Sequence, residues 1–309
     1  MKKYILFLIL SSFIPTLSFA QDAEADSTVI VDEKDKPVRT PFESGYLIDA
    51  QTTFIPNVNT LEMVIQHKFG TIENGNSDLY GIYAAGSNIR LGLNYVLLKN
   101  FQIGAGITKK DMATDLNAKW TIIQQTRLNT NPLAIGVYGN VGIDGRNISA
   151  FGSGNVREAY QMDSNNPFKF SDRLSYFAQV IVGRKVTEWL SLQVATSFTH
   201  YNAVGLVYDH DKVGVHFNGR MKVSPQGSII FNYDQPLKIK DITEQHEWTN
   251  PSLPNLTFGY EISTSTHAFQ IYMGTSNALL PQDNIMWNRN DFTDNQLLIG
   301  FNITRLWGF

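Results

Sequence analysis

Ten ionisable side chains sit at alternate positions in segments whose other positions are apolar, and they are the best candidates for chemistry in this sequence. They are Glu62, Lys68, Arg90, Asp115, Lys119, His216, Arg220, Lys222, Asp234 and Glu261. Because both signs of charge are present, the set could form ion pairs that hold a filled interior rigid. It could equally line a water path and bias which solutes pass. His216, Arg220 and Lys222 form the densest basic stripe, which would favour anions along an open path.

Signatures of catalysis and of metal binding are weak. The sequence has no serine-centred G-x-S-x-G motif and no glycine-rich phosphate loop. The stretches 209–211 (DHD) and 74–78 (NGNSD) gather oxygen ligands but lack the spacing of a calcium loop, so they are more typical of turns. We therefore predict no enzyme activity, no catalytic residue, no metal site and no cofactor.

The ionisable residues lie within stretches of strict alternation, which is the period of a β-strand with two different faces. In residues 89–95 the apolar Ile89, Leu91 and Leu93 alternate with Arg90 and Asn94. The pattern predicts about twelve strands. They lie near 60–69, 87–97, 100–109, 112–125, 132–143, 173–184, 189–198, 212–223, 227–236, 254–263, 267–274 and 295–307.

The connections between these strands alternate between short turns and mostly longer loops. The long ones are 70–86, 144–172, 199–211, 237–253 and 275–294, with a short exception near 109–112. Short periplasmic turns and long extracellular loops are typical of outer-membrane barrels. The sequence therefore predicts an all-β fold, a closed up-and-down antiparallel transmembrane β-barrel. A soluble, exported β-sandwich or propeller is the alternative, since those folds also alternate.

The first twenty residues have the layout of a secretory signal peptide. Lys2 and Lys3 precede a short apolar run, and Ser18 and Ala20 are small residues at the −3 and −1 positions of a cleavage site. Cleavage near Ala20 would move the formal charge from −3 to −5, because two lysines leave and no acid does. An acidic exported chain without a basic cluster is a poor nucleic-acid binder.

Composition supports a membrane location without a membrane-spanning helix. Aromatic residues make up 12% of the chain and charged residues 17%, and there is no cysteine. The absence of cysteine excludes a disulfide framework and a lipidated amino terminus. Residues 21–55 are charged and broken by Pro37 and Pro41, so we expect a flexible periplasmic extension there and the barrel over 56–309.

Several stretches resemble a known family. They are SNIRLGLNYVLLKNFQIGAGITKK, DRLSYFAQVIVGRKVTEWLSLQVATSFTHYN, HAFQIYMGTSN and LLIGFNITRLW. Together, from about residue 58 to the end, they resemble an uncharacterised family of Bacteroidota outer-membrane β-barrels described only as a domain of unknown function. The resemblance implies an outer membrane of a Gram-negative bacterium and carries no substrate or catalytic residues. The end of the chain is similar to the assembly signal of outer-membrane barrels, with the residues Phe301, Ile303, Trp307 and Phe309.

Two functions remain open from the sequence. The first is porin-like passive passage of small polar solutes, and the second is a non-conducting structural or accessory barrel in an envelope protein complex. Expected partners are outer-membrane lipid, the barrel-assembly machinery during insertion and, for the second function, an envelope protein. A short helix near Leu79, Ile82 and Tyr83 could either constrict the barrel mouth or pack against the rim.

Overall fold

Twelve antiparallel strands form a closed barrel in the computed structural model, which describes residues 35–151, 168–205, 208–242 and 252–309. The strands of the barrel are numbered β3 to β14. They are β3 Thr60–Thr71, β4 Asn88–Leu98, β5 Phe101–Thr108, β6 Ala113–Ile123, β7 Ala134–Ile143, β8 Leu174–Lys185, β9 Leu190–Tyr201, β10 Asp211–Lys222, β11 Gly227–Leu237, β12 Asn255–Ser263, β13 His267–Gly274 and β14 Leu298–Gly308. The expected signal peptide, residues 1–20, lies outside the described residues.

Each strand pairs with the next one along the chain, and the last strand closes on the first. In the closing pair, Ile303 of β14 is opposite Ile65 of β3. The sheet therefore has no free edge, which is the requirement for a β structure in lipid, where unpaired backbone groups find no water. The predicted closed, up-and-down antiparallel barrel is confirmed.

The two faces of the wall follow the alternation of the sequence. Outward positions are apolar and exposed, as with Leu93, Phe258 and Ile271, whereas inward positions such as Gln66 and Asn232 are polar and buried. Lipid favours this arrangement, since a charge on the outer face at mid-depth costs about 2–4 kcal/mol. None of the described helices is long and apolar enough to cross a membrane.

The connections place short turns at one end of the barrel and mostly longer loops at the other. Residues 99–100, 124–133, 186–189, 223–226 and 264–266 form the short-turn end. The backbone amide of Phe309 donates to the carbonyl oxygen of Asn59 at 3.1 Å, so the start of β3 and the end of β14 lie together at this end. The opposite end, with the connections 72–87, 109–112, 144–173, 202–210, 238–254 and 275–297, is called the long-loop end.

The structure corrects the expectation that residues 21–55 form a flexible extension, as far as the described residues 35–55 are concerned. Residues 42–54, here called the N-terminal plug, occupy the barrel interior and contain a two-stranded sheet of β1 Tyr46–Leu47 and β2 Ala50–Gln51. Phe42, Leu47 and Ile48 pack against inward-facing Ile230 and Tyr272. The plug is ordered because the wall supplies both apolar contacts and partners for its backbone groups.

A second segment enters the barrel from the long-loop end. Residues 275–288, here called the loop plug, include the helix α1 Pro281–Trp287, whose residues 282–287 are all buried. Ile285 packs with Tyr138, Phe177 and Ile181 on the inner face of β7 and β8. Ser252 Oγ donates to the carbonyl oxygen of Ile285 at 2.6 Å, which ties the end of α1 to the connection before β12.

The connection 72–87 does not constrict the barrel mouth, although the sequence left that possibility open. It forms a 3₁₀ helix over Ile72–Asp78, followed by turns in which Leu79, Ile82 and Tyr83 are exposed. Asn74 and Asp78 are joined by a hydrogen bond of 3.0 Å, consistent with the turn interpretation of this stretch. The constriction comes from the loop plug instead.

Candidate functional site

The polar lumen is the candidate site, and its wall carries an ion pair between two strands that are separated by one strand. Arg90 on β4 binds Asp115 on β6 through two parallel hydrogen bonds, Nε to Oδ1 at 2.8 Å and Nη2 to Oδ2 at 2.7 Å. Both side chains are buried. A two-point guanidinium–carboxylate pair is the strongest common form of ion pair, so this one stiffens the wall across β5.

His216 belongs to a second polar cluster on the wall. Its Nδ1 lies 2.7 Å from Asp234 Oδ1, and its Nε2 lies 2.8 Å from Ser197 Oγ. Asp234 also accepts hydrogen bonds from Asn232 at 2.8 Å and from Asn255 at 2.9 Å. Both nitrogens of the imidazole are therefore occupied by wall residues.

Arg220 connects the wall to the N-terminal plug. Its Nε donates to Glu261 on β12 at 2.9 Å, and its Nη2 donates to Glu43 of the plug at 2.8 Å. Lys222, two residues further, is half-buried at the short-turn end of β10. The basic stripe of the sequence is therefore divided: His216 and Arg220 have separate carboxylate partners, and Lys222 lies at the rim.

Lys68 contacts both plugs. Its Nζ lies 2.7 Å from Asp49 Oδ1 of the N-terminal plug, and it donates to the carbonyl oxygens of Ser276 and Ala278 at 2.8 and 2.9 Å. The ammonium therefore lies between one carboxylate oxygen of the N-terminal plug and two carbonyl oxygens of the loop plug. The Lys68 side chain thus connects two segments that enter the barrel from opposite ends.

Lys119 and Glu62 lie against the plug at Gly45. Lys119 Nζ donates to the carbonyl oxygen of Gly45 at 3.2 Å. A Cβ on this glycine would lie 2.9 Å from Lys119 Nζ and 3.0 Å from Glu62 Oε1. A side chain at this position would therefore displace the ends of Lys119 and Glu62 from the backbone of the plug.

Asn255 is the second connection between the two plugs. Its Nδ2 donates to Asp49 Oδ2 at 3.2 Å, and its Oδ1 accepts from Ser276 N at 3.2 Å. Asp234, its neighbour in the polar cluster, accepts from Asn284 of α1 at 2.6 Å. Movement of either plug therefore disturbs hydrogen bonds that the other one uses.

Water-accessible space remains at the short-turn end. A cavity of about 450 Å³ opens there between the chain around Pro41 and Phe54 and the wall residues Thr121 and Gln125. The cavity reaches only the last two residues of the N-terminal plug, Thr53 and Phe54.

The four residues of the expected assembly signal do not enter the lumen. Phe301, Ile303 and Trp307 alternate with inward residues on β14, and Phe309 is 83% exposed. His67 of β3 stacks on Phe301 with ring centroids 5.3 Å apart. A role of these residues in assembly stays a prediction.

The sequence patterns missed the residues that fill the lumen. Glu43 and Asp49 lie in the segment expected to be flexible, and Asn284 lies in a long loop. One available signal was the apolar content of GYLIDAQTTFIP, residues 45–56, which is high for a solvated tail. Among the described residues no group of three or more histidine, aspartate or glutamate side chains is arranged to hold a metal ion.

A family model described as a membrane-bound β-barrel domain, DUF5777, matches residues 42–307. The match begins at the first residue of the N-terminal plug and therefore includes it. No curated protein matches the chain.

Several solved structures are similar in fold at low sequence identity. An outer-membrane channel from Pseudomonas putida F1 has 12% identity and a TM-score of 0.48 over 82% of this chain and 97% of that one. The NanC porin has 7% identity and a TM-score of 0.45, with coverage of 81% and 99%. The KdgM porin has 8% identity and a TM-score of 0.42, also with coverage of 81% and 99%.

Proposed function

Because this chain belongs to the DUF5777 family of membrane-bound β-barrel domains, we propose that it is a porin-like barrel of the outer membrane, whose path for small polar solutes opens when the two plugs move. One observation carries the proposal: the centre of a polar-lined barrel is filled by two segments of chain that are not part of the wall. A twelve-stranded barrel is intermediate in width between barrels filled by side chains and barrels with an aqueous channel.

The plugs are held by contacts that can be exchanged for water. The N-terminal plug has two carboxylates on wall cations, Glu43 on Arg220 and Asp49 on Lys68. Its apolar contribution is a small cluster around Ile48 and Ile230. Reversible release therefore needs the rupture of a limited set of contacts, while the continuous ladder of the barrel stays intact.

A matched pair of cysteine substitutions tests the proposal directly, because the chain has no native cysteine. Leu47 and Ile230 pack in one apolar cluster, so Leu47→Cys with Ile230→Cys would allow the plug to be cross-linked to β11. We expect unitary conductance steps in a planar bilayer from the reduced protein, none after oxidation or a short bifunctional reagent, and their return on reduction of the disulfide. Each single-cysteine variant is the control for the chemistry itself.

The alternative function is a non-conducting barrel that serves an envelope protein complex. The observation that favours it is the network of buried ion pairs on the wall and across to the plugs. The decisive result would be an absence of conductance from reduced, correctly folded protein whose Leu47→Cys thiol also stays inaccessible to reagents. That result would defeat the porin-like function and favour this alternative.

The cellular location of the protein is also part of this proposal. We infer delivery by a signal peptide cleaved near Ala20, insertion into the outer membrane of a Gram-negative cell of the Bacteroidota type, and recognition by the assembly machinery through the aromatic end of β14. Passage of a solute needs no catalytic residue. Amino-terminal sequencing of protein purified from outer membranes tests the cleavage site, and a first residue other than Gln21 would correct it.

A further inference from the structure

The wall carboxylates that face the lumen are already held by wall donors. Glu62 accepts from the amides of Asn94 and Gln102 at 2.9 and 2.7 Å. Asp115 accepts two hydrogen bonds from Arg90 and one from Asn140. The same is true of Asp234 and Glu261, whose wall partners are His216, Asn232, Asn255, Arg220 and Gln270. Each of the four therefore keeps at least two wall partners when the lumen is vacated.

A second set of wall donors is directed at the N-terminal plug instead. Lys68, Lys119 and Arg220 each contact an oxygen of the plug. Four neutral wall side chains also donate to backbone carbonyl oxygens of the plug. The pairs are Gln270 with Tyr46, Asn302 with Ile48, Gln193 with Gln51 and Thr121 with Thr53.

Few contacts run in the opposite direction. Two backbone amides of the plug donate to the wall. The amide of Ile48 donates to Gln270 Oε1 at 2.9 Å, and the amide of Thr53 donates to Gln193 Oε1 at 3.3 Å. The plug thus behaves as an acceptor-rich occupant with two negative charges, Glu43 and Asp49, in a donor-rich wall.

Departure of the plug leaves these donors in need of new acceptors. Lys68 would lose its carboxylate partner, and Arg220 would keep only Glu261. Unpaired buried charges and donors are costly, so an entering solute that supplies acceptors is favoured. A cation would meet the ammonium of Lys68 and would find the carboxylates already engaged by wall donors.

We propose that the solute class of this barrel is small organic anions, carboxylates that also carry hydroxyl or carbonyl oxygens, and that the N-terminal plug occupies their binding positions in the closed state. This inference rests on the proposed function, since it needs the plug to leave. The carboxylates of the solute would take the places of Glu43 and Asp49, and its neutral oxygens would accept from the wall amides and Thr121.

The test uses the full chain with Glu43→Gln and Asp49→Asn, which removes the charges of the plug at nearly constant shape. Proteoliposomes containing this protein are assayed for uptake of gluconate, glucose and glucosamine, which are anionic, neutral and cationic probes of similar size. The wall variants Lys68→Gln and Lys119→Gln are added separately. Lys169→Gln, at an exposed residue of the long-loop end, is the matched control, and heat-modified gel migration verifies folding of every variant.

We expect gluconate to enter faster than glucosamine by roughly tenfold, the lower end of what a charged path does to a rate. The preference should fall several-fold with Lys68→Gln or Lys119→Gln and stay unchanged with Lys169→Gln. Uptake of all three probes at equal rates, or a preference for glucosamine, would overturn the solute class while leaving passage established. No uptake of any probe by any folded variant would overturn the porin-like function, and this inference with it.

Discussion

Lys68 and Asp49 form a buried ion pair, with Nζ and Oδ1 2.7 Å apart and side chains that are 1% and 6% exposed. The lysine belongs to the first strand of the barrel wall, whereas the aspartate belongs to the N-terminal plug. Removing one partner of a buried pair costs about 3–5 kcal/mol, because the other charge stays in a poorly solvated place. The pair is therefore a strong point of attachment and a sensitive place to loosen the plug.

Asp49→Asn should increase exposure of the plug. With Ile48→Cys as a reporter, at a residue that is 0% exposed, we expect maleimide labelling to become at least several-fold faster. The matched control is Glu188→Gln, which breaks an ion pair of the same 2.7 Å length whose carboxylate is 94% exposed. Exposed pairs contribute about 0–1 kcal/mol, so the control should leave labelling unchanged. Equal labelling in both variants would contradict the anchoring role.

Glu43 and Glu261 share Arg220 but should differ in effect when substituted. Glu43→Gln weakens only the attachment of the plug, so labelling of the Ile48→Cys reporter should become faster while the midpoint of heat-induced unfolding of the barrel stays constant. Glu261→Gln removes a wall carboxylate that also accepts from Gln270 at 2.8 Å, so the unfolding midpoint should fall. The midpoint is measured as the temperature at which half of the protein migrates on a gel as unfolded. Identical behaviour of the two variants would contradict the different roles of Glu43 and Glu261.

Lys68→Met should loosen both plugs. The substitution removes the contact with Asp49 and the two hydrogen bonds to the carbonyl oxygens of Ser276 and Ala278. Met286→Cys, at a fully buried position of α1, reports on the loop plug. We expect faster labelling of both the Ile48→Cys and the Met286→Cys reporters, measured in separate proteins. Glu43→Gln, which removes no direct contact of the loop plug, should affect the first reporter more than the second. Unchanged labelling of the Met286→Cys reporter would show that the plugs are independent.

Acid should release the start of the described chain from the wall. Partial desolvation acts against ionisation of Asp35, yet hydrogen bonds from Thr126, Leu128 and Thr130 lower its pKa to about 2. A lowered folded-state pKa gives stability that is fully present above the unfolded value of 3.8 and is lost as the pH falls towards 2. The fluorescence anisotropy of a fluorophore attached at residue 38 should therefore fall between pH 4 and 2, because the label becomes mobile. Asp35→Asn should abolish that transition; its persistence would assign it to another group.

Phe309→Ala should separate assembly from stability. The side chain is 83% exposed, so its removal should leave refolding in detergent and the unfolding midpoint unchanged. If the aromatic end is an assembly signal, the amount inserted in outer membranes of cells should fall. A matched change at the exposed Leu128, in the turn between β6 and β7, should reduce neither quantity. Normal insertion of the Phe309 variant would remove that role.

The barrel was predictable because its wall obeys one simple period. All twelve strands lie within a few residues of the expected positions, since lipid on one side and a polar lumen on the other force alternation at every step. The plugs obey no such rule. The segment around Asp49 is held by side chains distant in sequence, such as Lys68 and Asn255, and α1 has only seven residues. Contacts between residues distant in sequence produce no periodic pattern. The partners of the inward-facing charges could therefore not be assigned from the sequence.

The enclosure of residues 42–54 also constrains how the molecule is built. These residues precede the first barrel strand, yet their contacts reach strands as far apart in sequence as β3, through Lys68, and β14, through Asn302. If the wall closes at the β14–β3 seam with this segment already inside, the segment acts as an internal template for closure. In that order of events, the contacts that later block the lumen first hold the incomplete sheet to its final circumference.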